Sequence, residues 1–114
     1  MCTTCDANYR LTDDNRKCLQ VITNCGTYTA SDNTNTFHSC TTCDANYRLT
    51  DDNRKCLNVI ADCGTYTASN NTNTFHSCTT CNANFVLTTD NRKCLAEIVN
   101  CSTYTNSDFN ATFH

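Results

Sequence analysis

Twelve cysteines divide this 114-residue chain into three equal beats. Cys2, Cys5, Cys18 and Cys25 follow the spacing C-x2-C-x12-C-x6-C. The same spacing returns at Cys40, Cys43, Cys56, Cys63 and at Cys78, Cys81, Cys94, Cys101, each set 38 residues after the last. Self-similarity at a fixed period of this size is the signature of a repeat array, one small unit copied along a line. The repeats are expected at 1–39, 40–77 and 78–114. A 38-residue unit falls below the roughly 40 residues at which a chain usually folds without disulfides, metal or neighbours. Cysteine chemistry and burial between copies therefore have to contribute.

About a tenth of the chain is cysteine, the level of a disulfide scaffold. The count is even in the chain and in each copy, so no thiol need be left over. This density points to an oxidising compartment, extracellular or at the cell surface. All twelve cysteines are expected in disulfides, two within each repeat. Four cysteines allow three connectivities and the sequence does not choose among them; we favour an interlocked pattern, first with third and second with fourth. If the pairs instead straddle the repeat frame, Cys101 of one unit would bridge to Cys2 or Cys5 of the next and lock a fibre covalently. The net charge of −3 is scattered, which leaves no basic face for nucleic acid and no anchor for acidic lipid. No apolar run approaches the ~20 residues that span a bilayer. Met1 leads directly into Cys2 with no basic and apolar leader, and it occupies the slot held by Ser39 and Ser77. The chain is therefore expected to be a processed product or, as we favour, a piece of a longer one.

Comparing the copies shows what the unit holds fixed. Residues 2–39 and 40–77 differ only at Gln20/Asn58, Thr23/Ala61, Asn24/Asp62 and Asp32/Asn70, whereas the third copy has drifted further. Apolar positions persist at 9/47/85, Leu11/Leu49/Leu87, Leu19/Leu57/Leu95, Ile22/Ile60/Ile98, Tyr28/Tyr66/Tyr104 and Phe37/Phe75/Phe113. These six are expected to form the small core of each copy. Tyr9-Arg10-Leu11-Thr12 alternates like a half-buried strand, Asp13-Asp14-Asn15 reads as a turn, and Lys17-Cys18-Leu19 returns, which predicts a short hairpin. Residues 27–39 are rich in Thr, Asn and Ser without helical period, and are expected to be extended or looped. The predicted fold is a small disulfide-rich β/irregular array forming an elongated rod, with negligible helix.

Several constellations suggest chemistry and are better explained without it. The C-x2-C pairs resemble zinc knuckles, but the second pair is spread to x6 and the knuckles lack glycine. His38, His76 and His114 each follow a phenylalanine; with Phe37, Phe75 and Phe113 they are expected to stack at the joints between repeats. Asp13-Asp14-Asn15 resembles half a calcium loop, yet no bidentate acid stands at the required distance. Sequons at Asn70, Asn100 and Asn110 are candidate N-glycosylation sites. Asn70 and Asn110 fall in a polar loop, while Asn100 adjoins a cysteine expected to be bridged. No nucleophile–base pair, phosphate loop or carboxylate dyad is apparent, so neither catalysis nor a cofactor is expected.

From Ile22 the unit reads I-x2-C-x2-Y-x11-C-x2-C-x3-Y-x-L-x6-C, through Cys25, Tyr28, Cys40, Cys43, Tyr47, Leu49 and Cys56. This resembles the cysteine-rich repeats of furin-like and growth-factor-receptor type found in surface and secreted proteins of ciliates and other protists. A looser similarity runs to the tumour-necrosis-factor-receptor repeats, which carry six cysteines where this unit has four. The resemblance implies an extracellular, disulfide-laddered rod used for structure, adhesion or display, and brings no catalytic or ligand residues. The expected function is a structural subunit or segment of an extracellular fibre or coat, self-assembling head-to-tail with His114 meeting Met1 in phase, and glycosylated. The alternative is a stalk or ligand-binding segment of a surface receptor or antigen.

Overall fold

The computed structural model describes residues 1–113; His114, expected at a joint, lies outside the described residues. Among the described residues there is no helix, and ten short strands form five two-stranded sheets. Strand β1 (Tyr9–Leu11) pairs with β2 (Cys18–Gln20), β3 (Cys25–Tyr28) with β4 (Cys40–Cys43), and β5 (Tyr47–Leu49) with β6 (Cys56–Asn58). Strand β7 (Cys63–Tyr66) pairs with β8 (Cys78–Cys81), and β9 (Phe85–Leu87) with β10 (Cys94–Ala96). The hairpin read from residues 9–19 is present, with Tyr9 opposite Gln20 and Leu11 opposite Cys18, antiparallel. The β3–β4 and β7–β8 pairs are antiparallel with two register shifts each.

The chain divides into two compact units, not at the repeat boundaries. The first comprises Met1–Leu57 with Ser69–Asn73, the second Asn58–Ala68 with Thr74–His114. The reason lies in the bridges. Cys5–Cys18, Cys25–Cys40 and Cys43–Cys56 staple the first unit, Cys63–Cys78 and Cys81–Cys94 the second. Each copy thus keeps one internal bridge, second cysteine to third, and the first two copies send their fourth to the first cysteine of the next. The expectation of two interlocked bridges inside each period is overturned. Cys18 faces Leu11 across the hairpin, and Cys5, in the segment ahead of β1, comes to a Cα separation of 5.8 Å from it, while β3 pairs forward onto β4 rather than back onto its own copy.

Turns are built with asparagine where other proteins use glycine. Among the described residues nine have positive φ, between 60° and 72°, and all are Asn or Asp: positions 8, 15 and 24 and their equivalents in the later copies. Asn and Asp enter the left-handed region at little cost, because a short polar side chain bonds locally. Seven of them also supply a carbonyl to the fold: Asn15, for example, accepts Cys2 N–H at 2.9 Å, and Asn53 accepts Cys40 N–H at 2.7 Å. The two glycines serve a different purpose. A Cβ on Gly26 would meet Asp44 Oδ1 at 3.2 Å and the Thr42 carbonyl at 3.4 Å, so the bulged β3–β4 pair is tight there and a side chain would require its neighbours to give by a few tenths of an ångström.

The core is smaller and more polar than the six apolar positions imply. Leu19, Leu57 and Leu95 are buried with cystine sulfurs, Thr12, Thr50, Thr88, His38 and His76. Tyr9, Phe37 and Phe75 are exposed by 42–45 %, and Ile98 by 49 %. Arginines cover what the core does not: the Arg54 guanidinium lies 3.6 Å from the Phe37 ring centroid, and Arg92 lies 3.6 Å from Phe75 and 3.8 Å from Phe109. Thr12, though buried, donates to Asp14 Oδ1 at 2.7 Å and accepts Lys17 N–H at 3.1 Å. Asp14 in turn accepts Arg16 N–H and, through its other oxygen, Asn33 N–H at 2.9 Å, clasping the turn to the following loop. Asp52 and Asp90 repeat the clasp on Asn71 and Phe109.

Two expectations follow for stability. Replacing Asn53 by valine should cost about 1–2 kcal/mol, the penalty of a β-branched residue in the left-handed region, whereas Asn53→Gly should be near neutral; thermal unfolding of the two variants checks this. The Thr12 hydroxyl, with the Asn33 and Arg16 N–H groups, holds the Asp14 carboxyl below its usual range. At Asp52 and Asp90 partial burial pushes upward, but the threonine hydroxyl and backbone N–H bonds outweigh it and both are lowered. Groups depressed on folding contribute stability above their unfolded pKa and lose it as pH falls through the folded one. The clasps should therefore hold at neutral pH and open only as pH falls through the lowered folded-state pKa, below the ordinary aspartate range, seen as concerted NMR shifts of the Asn33, Asn71 and Phe109 amides.

Candidate functional site

Ten of the twelve cysteines are bridged; Cys2 and Cys101 are free and half-buried. The expectation that every cysteine is oxidised within the chain is corrected at these two positions. The reason is the frame. Cys101 holds the place of Cys25 and Cys63, whose partners are the first cysteines of the next copy, and Cys2 holds the place of Cys40 and Cys78, whose partners are the last cysteines of the copy before.

Local structure around Cys2 matches its bridged equivalents. Its N–H bonds to Asn15 O at 2.9 Å, as Cys40 bonds to Asn53 and Cys78 to Asn91, both at 2.7 Å. Its Sγ lies 3.2 Å from Thr4 O, the distance found at Cys40–Thr42 and Cys78–Thr80. For the bridged pairs this is a sulfur–carbonyl contact, since a cystine has no proton to donate; the Cys2 thiol donates. Cys2 Sγ also stands 3.8 Å from Cys18 Sγ, against 3.7 Å for Cys40–Cys56 and Cys78–Cys94.

Cys101 is set up in the same way. Its N–H bonds to Ile98 O at 3.1 Å, and its Sγ lies 3.2 Å from Thr103 O, against 3.1 Å at Cys25–Thr27 and 3.2 Å at Cys63–Thr65. The Tyr104 hydroxyl receives Ile98 N–H at 2.8 Å, as Tyr28 receives Ile22 at 2.9 Å. Yet residues 101–104 form no strand, although β3 and β7 occupy this position in the earlier copies. Residues 2–5 likewise form no strand, although the identical Cys-Thr-Thr-Cys is β4 at 40–43 and β8 at 78–81. An open groove of about 410 Å³ beside Cys2 is lined by Thr4, Cys5, Asp6, Tyr9 and Cys18.

The other candidate positions are placed as follows. His38 is buried; its ring packs edge-on to Tyr28 at 5.2 Å and its Nε2 lies 3.0 Å from Arg10 O. It therefore closes onto its own copy, while Phe37 meets Arg54 of the next copy. His76 is buried with the same packing on Tyr66, and Phe75 meets Arg92. Phe113 is 78 % exposed, against 42 % for Phe37 and Phe75. Asn70 is exposed and its Oδ1 accepts both the N–H and the hydroxyl of Thr72. Asn110 is exposed, its N–H bonded to Asp108 at 2.9 Å; Asn100 is exposed beside the free Cys101.

Each cysteine triad, such as Cys40, Cys43 and Cys56, brings three sulfurs within 4.8 Å. Zinc needs thiolates, and two sulfurs of every triad are bonded to each other. In the second and third triads the remaining one is bonded to Cys25 or Cys63. These are stacked cystines. Sequence reasoning missed the special standing of Cys2 and Cys101 because a cysteine count carries no frame; it considered a bridge that crosses the repeat boundary only as a contingency.

Alkylation of the monomeric protein without reductant should label two cysteines per chain, Cys2 and Cys101, and peptide mapping should return the five bridges above; a labelled Cys18 or Cys25 would refute the assignment. No protein-family model matches the chain, and no curated protein or solved structure does so either.

Proposed function

We propose that this chain is a structural module of an extracellular fibre or coat, continued head-to-tail by further modules of the same kind. The observation that carries this reading is the bridge from one copy to the next, Cys25–Cys40 and again Cys63–Cys78. In a repeat array, stability is the sum of unit and neighbour terms, and here every neighbour term contains a covalent bond. A bridge closing a loop of this size contributes about 3 kcal/mol in the chain-entropy account. The bulged hairpin and the phenylalanine–arginine contact add to it at the same place. Tension along such an array is carried by disulfides at each boundary rather than by a small core alone. Five disulfides suit an oxidising compartment, which supports an extracellular setting.

The polar turns face solvent, and in this reading they carry the glycan. Asn70 presents its side chain in a turn closed by the Thr72 hydroxyl, and Asn110 is equally exposed. Asn100, beside a cysteine committed to the joint, stays bare. Enzymatic removal of N-glycans from native material should lower its mass; Asn70→Gln and Asn110→Gln should each abolish one glycan, and Asn100→Gln none. Electron microscopy of the native material should show continuous filaments or a coat. Discrete monodisperse particles that never associate would instead assign the chain to a receptor stalk.

A further inference from the structure

We propose that Cys101 of one chain and Cys2 of a second copy form an intermolecular disulfide equivalent to Cys25–Cys40 and Cys63–Cys78, with residues 2–5 of the second copy pairing as an antiparallel strand on residues 101–104 of the first. This rests on the head-to-tail reading and names its bond. The partner is identified by sequence: Cys2-Thr3-Thr4-Cys5 is identical to the two strands that already fill this role within the chain. Both thiols stand where the bridged sulfurs stand, to within about 0.1 Å in their carbonyl and sulfur contacts. Such preorganisation lowers the cost of association.

The repeat fixes the remaining contacts of the joint. Thr29 N–H bonds to Ser39 O at 2.9 Å, and Asp44 N–H to Asn24 O at 2.8 Å. In the joint these become Thr105 to Met1 of the second copy and that copy's Asp6 to Asn100. Met1 fits the serine slot because only its carbonyl is used. Thr41 Oγ1 donates to Thr27 O at 3.0 Å; Thr3 of the second copy would donate to Thr103 O. Arg54 over Phe37 becomes Arg16 of the second copy over Phe113, which covers the most exposed of the three phenylalanines. One position differs: Ser102 stands where Gly26 and Gly64 do. Their φ is not positive, so the backbone accepts serine, and the nearest atom to its Cβ is the far end of an aspartate side chain, which can rotate away.

The bond forms by two thiol–disulfide exchanges with a small-molecule disulfide, RSSR. The Cys101 thiolate attacks one sulfur and releases RS⁻; the Cys2 thiolate then attacks the Cys101 sulfur of the mixed disulfide and releases the second RS⁻. The two thiol protons end on two RSH, and RSSR takes up the two electrons. Bridging also withdraws Cys2 from Cys18, 3.8 Å away, where attack would exchange Cys5–Cys18 for Cys2–Cys18 and expel Cys5.

The test uses two variants, Cys2→Ser and Cys101→Ser, neither of which removes a bridge within the chain, in a buffer of oxidised and reduced glutathione. Wild-type protein should give a ladder on non-reducing gels, in steps of 12.7 kDa. Each variant alone should stay largely monomeric, and the mixture should give a dimer whose main new linked peptide joins Cys101 to Cys2, exceeding Cys2–Cys2 and Cys101–Cys101 species by about tenfold or more. Ser102→Gly should raise the yield. Homotypic dimers as abundant as the heterotypic one, or thiols that remain free in concentrated wild-type protein, would overturn the proposal. Sedimentation of the wild-type protein in the same buffer keeps the two readings apart: association with both thiols still free would leave head-to-tail assembly standing and the disulfide refuted.

Discussion

The cystine that passes from one copy to the next is the constraint on which the rest of the fold depends. Cys25–Cys40 pins β3 against β4. With β3 fixed, Tyr28 sits where its hydroxyl bonds Ile22 at both N–H and carbonyl, and its ring receives His38 edge-on and the Arg10 guanidinium at 4.1 Å. His38 then reaches Arg10 O, which belongs to the first hairpin. A single covalent bond to the next copy therefore organises the contacts of the copy that precedes it.

Around that bond the chain does with polar chemistry what larger domains do with apolar volume. Few side chains are buried outright, and of those Thr12, Thr50, Thr88, His38 and His76 are polar. Buried polar groups are tolerable where they are bonded, and the threonines are bonded to the turns they stabilise. Lys17, Lys55 and Lys93 each reach a loop carbonyl 18 residues ahead, at Asn35, Asn73 and Ala111. With no proline and two glycines, the curvature of these turns comes from nine left-handed Asn and Asp residues. The high asparagine content is thus a backbone requirement as well as a surface property.

Some of this was legible in the sequence and some was not, for identifiable reasons. Alternation over Tyr9–Thr12 and the Asp-Asp-Asn turn located the first hairpin because both are local signals. The buried leucine series was also readable, since it recurs at the same place beside a cysteine. Tyr9 and Phe37 were misassigned to the core because apolarity alone does not reveal that an arginine from elsewhere will cover Phe37. His38 looked like a joint residue from its position next to Phe37, but its contacts run back 28 residues to Arg10. The bridge pattern was hidden because counting cysteines within a chosen frame cannot reveal that the fourth belongs with the next copy.

The period, the four cysteines of each copy, the turn chemistry and the lack of any long apolar segment are properties of residues and their spacing, and are readable before folding. Tertiary structure alone decided which sulfurs meet and which segments become strands. The tetrapeptide Cys-Thr-Thr-Cys occurs three times with identical residues. It is a strand at 40–43 and 78–81, where β3 and β7 lie alongside it, and not at 2–5. A strand of four residues has no hydrogen bonds of its own to hold it extended; its conformation belongs to the pair, and the partner is supplied by the fold.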